Sequence, residues 1–137
     1  MQTWQMLSIM TLVLWGVWGV LGKFSTNQGT SPMLIAMLSS GAGLAIVAIV
    51  QLLVRFPLER PPLGVIYGIV AGAVGGLGAI LFFYALREGK VSVVVPISAC
   101  YPVLTIILGM VLLKEEVSMA QGLGIAFAVT GVVLLSL

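Results

Sequence analysis

The sequence predicts an all-α, polytopic membrane protein with five transmembrane helices, and three observations carry that prediction. Of the 137 residues 61% are apolar and only 7% charged, whereas soluble domains carry about a quarter charged residues. The mean hydropathy is +1.24. The ten charges are confined to Lys23, Arg55, Glu59, Arg60, Arg87, Glu88, Lys90, Lys114, Glu115 and Glu116. Between them lie uncharged stretches of about the 20 residues needed to cross a hydrocarbon core as a helix. Backbone polar groups need internal partners in lipid, so each stretch is expected to be helical.

The spans fall at about Trp4–Gly22, Pro32–Val54, Leu63–Leu86, Ser92–Leu113 and Ala120–Leu137. The first apolar run lacks a basic leader and is too long for a signal-peptide core, so it reads as a retained span. Asn27, Gly29 and Ser31 supply turn chemistry before Pro32, which suits the first turn of the second helix. Three prolines between Arg55 and Pro62 stop one helix and set up the next. The connection from Arg87 to Val91 is short enough to make the third and fourth helices antiparallel neighbours.

Several chemistries lack raw material. There is no His and no Asp, and Cys100 is the single cysteine, which excludes metal clusters, Ser/His/Asp triads and an intrachain disulfide. No cofactor is expected. A net charge of +2, scattered along the chain, excludes nucleic acid as a partner. No carboxylate lies inside a span, which argues against a carboxylate proton relay and against an intramembrane enzyme. Glu115 and Glu116 read as a solvated loop.

Small residues mark helix faces. Gly64, Gly68, Gly72 and Gly76 repeat every four residues on the third helix, a small-xxx-small ridge suited to close helix approach. Gly16, Gly19 and Gly22 make a second small face on the first helix, and Gly124 and Gly131 a third on the last. Polar and aromatic groups mark others. Trp4, Ser8, Thr11, Trp15 and Trp18 share one face of the first helix. Trp4 is expected at the membrane interface. Trp15 and Trp18 lie deeper, either as a wall of a substrate cavity or as bundle packing. Ser98, Tyr101 and Thr105 share a face of the fourth helix, which also holds Pro96 and Pro102. Each proline removes an amide from the helix ladder, so this span is expected to bend, beside a cavity or against neighbouring side chains.

Helices three to five resemble the EamA-like drug/metabolite transporters. The resemblance rests on Ala85-Leu86, Gly89, Ser92, Val94, Pro96, Tyr101-Pro102-Val103, Gly109, Leu113, Glu115 or Glu116, Gln121 and Gly124, with Leu14-Trp15-Gly16 and Lys23 in the first helix. It implies one EamA-like transmembrane domain over residues 1–137, half of an inverted-repeat fold of two five-helix units. It also implies export of small metabolites or drugs across the inner cell membrane. Gly124 and Gly131 resemble the glycine pair by which the small multidrug resistance branch dimerises.

Five spans place the termini on opposite sides, with Arg55, Arg60 and Lys114 on the N-terminal side and Lys23, Arg87 and Lys90 on the other. Basic residues orient spans, and a balance of three against three predicts insertion both ways and an antiparallel homodimer working by alternating access. Its expected substrate is a small, partly apolar metabolite lined by Trp15, Trp18, Ser98, Tyr101 and Thr105, with Tyr84 as an outer contact. The alternatives are a half-transporter needing a paralogous partner, such as a lipid-linked sugar flippase subunit, and a non-transporting membrane scaffold.

Overall fold

The computed structural model describes residues 3–136, and every regular element among them is helical. The chain divides into two compact units, the first ending at Glu88 and the second beginning at Gly89. The first holds α1 (Thr3–Asn27), α2 (Pro32–Val54) and α3 (Pro62–Glu88); the second holds α4 (Val91–Ser98), α5 (Tyr101–Leu108), a π-helical turn (Gly109–Leu113) and α6 (Met119–Ser136). Four segments are long and apolar enough to cross a membrane: α1, α2, α3 and the composite Val91–Leu113. The fifth, α6, is shorter at 18 residues.

The connections obey their local chemistry. Ser31 caps α2, its hydroxyl accepting from the Leu34 amide at 3.3 Å, and Pro32 occupies the first turn, where its missing amide costs nothing. Gly29 enters this turn at φ +83°, a conformation that glycine adopts without strain. At its other end α2 stops on Arg55 in the left-handed region, with the Arg55 amide bonded to the Gln51 carbonyl at 2.9 Å. The Gln51 side chain then donates to the Phe56 carbonyl at 2.9 Å.

Packing in the first unit is concentrated at one end. The buried residues are Gly19, Gly22 and Thr26 near the end of α1, Pro32, Ile35 and Ala36 at the start of α2, and Phe83 and Leu86 at the end of α3. A methyl group added to Gly22 would stand 2.7 Å from Phe83 Cε1 and 3.4 Å from Leu86 Cδ1. The absence of a side chain there is what lets α3 lie against α1. At the same end the Lys23 ammonium donates to the Leu86 carbonyl at 2.6 Å, a cation on the last turn of a helix where carbonyls lack intrahelical partners. Because Lys23 closes α1 and Leu86 closes α3, the two helices run parallel.

The glycine ridge of α3 lies in the other half of that helix. A methyl group at Gly68, Gly72 or Gly76 would meet nothing within 4 Å, and at Gly64 only Pro61, at 3.0 Å. Within the chain, then, the small face that presses on a neighbour belongs to α1. The α3 ridge is an open surface.

The fourth span is broken where its prolines predict. α4 ends at Ser98, a tight turn follows at Ala99 and Cys100, and α5 restarts with Pro102 in its first turn. Pro102 has no amide to offer the Ser98 carbonyl four residues back, so the ladder ends there. The chain bridges the gap with the Cys100 amide on the Ile97 carbonyl at 3.1 Å and the Val103 amide on the Cys100 carbonyl at 3.0 Å. Pro96 remains inside α4.

Gly22→Leu is therefore expected to destabilise the folded chain, since overpacking costs about 1–3 kcal/mol in soluble cores. Gly72→Leu in a detergent-solubilised monomer is expected to leave the unfolding midpoint nearly unchanged. Denaturant titration of both monomers checks this, and a larger loss for Gly72→Leu than for Gly22→Leu would refute the packing account.

Candidate functional site

Two places in the molecule combine polar groups with apolar walls. In the first unit, Trp18 stacks on Phe82 with centroids 5.1 Å apart and planes 11° from parallel, and meets Phe83 edge-on at 5.2 Å and 62°. Phe82 and Phe83 touch edge-on at 5.7 Å. Both geometries are favourable for ring quadrupoles, adding about 0.5–1.5 kcal/mol per pair beyond area burial. The indole N–H donates to the Ser39 hydroxyl at 3.4 Å. Beside this cluster lies a small hollow of about 170 Å³, lined by Trp18, Gly22, Ser25, Ile35, Ser39 and Phe83 among others. Aromatic faces and two hydroxyls suit a compact, partly apolar solute.

Of the other expected residues of this unit, Trp15 is 59% exposed and Tyr84 44% exposed, against 38% for Trp18. Ser8 and Thr11, on the same α1 face, bond back to the carbonyls of Trp4 and Leu7 at 2.8 and 2.9 Å. Such back-bonding satisfies a hydroxyl within its own helix.

In the second unit Ser98, Tyr101 and Thr105 are exposed, Tyr101 at 54%. The Thr105 hydroxyl bonds the Tyr101 carbonyl at 3.2 Å. A larger hollow, about 470 Å³, opens on a different face of α5, lined by Pro102, Val103 and Ile106, with Gly124 and Ala128 of α6 opposite. A methyl group at Gly124 or Gly131 would meet nothing within 4 Å. Phe82, Phe83 and Ser39 escaped sequence reasoning. The available signal was the pairing of Trp18 with Gly22 four residues on, which puts a ring beside a gap.

The model of the EamA-like transporter family matches residues 2–137, the whole described chain. The chain belongs to the EamA-like transporter family. This EamA-like chain is 38% identical over 71 residues to an uncharacterized protein of Methanocaldococcus jannaschii. That segment is 52% of each, so the two chains are of equal length. It is 33% identical over 63 residues to an uncharacterized transporter of Helicobacter pylori, 46% of this chain and 21% of that one, which is therefore about 300 residues long. The matched segments span about half and about a fifth of these curated relatives. No solved structure matches significantly. Family and apolar helices together make this a multi-pass membrane protein of a transporter family.

Trp18→Ala removes two ring contacts and one hydrogen bond, and is expected to cost about 1–3 kcal/mol, two aromatic pairs at the usual strength. Trp15→Ala is expected to cost less. Unfolding in mixed micelles, followed by circular dichroism, measures both; equal losses would show that the Trp18 cluster contributes nothing special.

Proposed function

We propose that this EamA-family chain exports small, partly apolar metabolites or drug-like compounds across the inner cell membrane, working by alternating access as an antiparallel homodimer of dual topology. The observation that carries this reading is the balance of basic residues around an odd number of spans. Arg55, Arg60 and Lys114 oppose Lys23, Arg87 and Lys90, and a chain without positive-inside bias inserts in both orientations. The hydrogen bond from Lys23 to Leu86 supports part of the tally, because it brings Lys23 to the end of α3 that carries Arg87.

In this reading the substrate is moved and not transformed. Trp15, Trp18, Tyr84, Ser98, Tyr101 and Thr105 face it, and Pro96 and Pro102 supply the hinge of the fourth span. The glycines Gly64, Gly68, Gly72 and Gly76 on α3 and Gly124 and Gly131 on α6 are the surfaces on which the second copy packs, since small residues allow close approach in lipid.

Reporters fused at the C-terminus are expected to reveal cytoplasmic and external populations of comparable size. Two added Lys beside Arg60 should drive the population one way, and two beside Lys90 the other. A wild-type population in a single orientation, unmoved by added charge, would end the dual-topology reading and favour an oppositely oriented paralogue as partner.

A further inference from the structure

The larger hollow of the second unit has a shape and charge that the transport reading does not use. α6 packs against α4, and residues of both α5 and α6 line a space of about 470 Å³. This lies within the roughly 300–1,000 Å³ of ligand sites. Its lining on α6 extends from Gln121 to Val132, twelve residues of helix whose ends stand about 16 Å apart. Half of a hydrocarbon core is about 15 Å. The hollow is thus a groove one leaflet deep, running from the end of the span to Cys100, which lies near the middle of Val91–Leu113.

Its two ends differ. The walls along the groove are apolar: Val103 and Ile106 on one side, Ile125 and Val129 on the other. The mouth holds the carboxylates of Glu115 and Glu116. They are held in place by the π-helical turn, which ends on Lys114 in the left-handed region, with the Lys114 and Glu115 amides both on the Gly109 carbonyl. A Glu115 carboxylate oxygen lies only 3.0 Å from where a Gly109 methyl would stand. The mouth therefore presents two carboxylates at the end of the span.

Apolar walls alone do not select an occupant in a bilayer, because lipid tails are as apolar as the walls. Selection has to come from the mouth. A primary ammonium donates hydrogen bonds to carboxylates, which a quaternary ammonium does not, and such charge-assisted bonds are the strong ones. We propose that the α5–α6 groove is a binding site for a phospholipid with a primary-amine headgroup, one acyl chain lying in the groove and the ammonium on Glu115 and Glu116. Every group named belongs to one chain, but Gly124 lines the groove and is also one of the glycines proposed for the second copy, so lipid in the groove and a second copy packed at Gly124 exclude one another.

The test uses the purified full chain in dodecyl maltoside with an equimolar mixture of phosphatidylethanolamine, phosphatidylcholine and phosphatidylglycerol. Native mass spectrometry is expected to find retained phosphatidylethanolamine at least about 10-fold over phosphatidylglycerol, with phosphatidylcholine between them. Glu115→Gln with Glu116→Gln should bring the three lipids close to equal retention, and Ala128→Leu, which fills the groove, should reduce all three. Alkylation of Cys100, the single cysteine, by N-ethylmaleimide gives a reading at the site without any variant, and phosphatidylethanolamine should slow it several-fold more than phosphatidylglycerol. Equal retention of the three lipids by the native chain, a preference unchanged in the glutamine variant, or Cys100 alkylation indifferent to headgroup would each overturn the proposal.

Discussion

Among the described residues the chain buries only five apolar side chains by itself, those of Pro32, Ile35, Ala36, Phe83 and Leu86. Everything else about the molecule follows from that shortage. A protein that is 61% apolar and covers so little of its own surface depends on lipid, or on further protein, to cover the rest. Lipid does not push helices together as water does, so association rests on close backbone approach, ring contacts and hydrogen bonds. The first unit uses all three at one end. Gly22 lets Phe83 and Leu86 reach the α1 backbone, Trp18 stacks on Phe82, and Lys23 caps α3.

The same constraint explains the hydroxyls. Ser8, Thr11, Thr105 and Thr130 each bond to a carbonyl four residues back in their own helix. A hydroxyl satisfied in this way can face lipid without an unpaired group. A polar face on a membrane helix is therefore weaker evidence for a cavity than it would be in a soluble protein. Trp18 differs because an indole N–H has no such route and finds Ser39 on another helix.

What could be read from the sequence divides along this line between local and tertiary causes. The five apolar segments and the break before Pro102 are local consequences of hydrophobicity and of a missing amide, and both were legible. The two prolines nevertheless behave differently: Pro96 stays within α4, while the helix ends ahead of Pro102. Lys23 was legible as a charge that reports sidedness; its bond to Leu86 joins residues 63 apart, which no local pattern encodes. Glycine spacing marked three small faces but did not say which has a neighbour. Gly22 has one, while a methyl group at Gly68, Gly72 or Gly76 would meet nothing within 4 Å among the described residues. Trp15 and Trp18 share a helix face, and the stacking of Trp18 on Phe82 and Phe83 is a tertiary contact that the face alone did not foretell. The groove was illegible because it lies between α5 and α6, and the sequence treated Glu115 and Glu116 as loop.

Open glycine faces, an odd number of spans and balanced basic residues are the support for the proposal that an inverted second copy completes the unit. Two tandem fusions separate this from its rivals without knowledge of the substrate. A direct fusion of two copies inverts the second relative to the first, whereas a fusion through one added transmembrane helix keeps them parallel. The measurement is how much separately tagged single copy each fusion captures when the two are coexpressed and purified. The inverted-pair account predicts that the direct fusion, complete in itself, captures little, and that the parallel fusion captures about two copies. Strong capture by the direct fusion, with none by the parallel one, would contradict it.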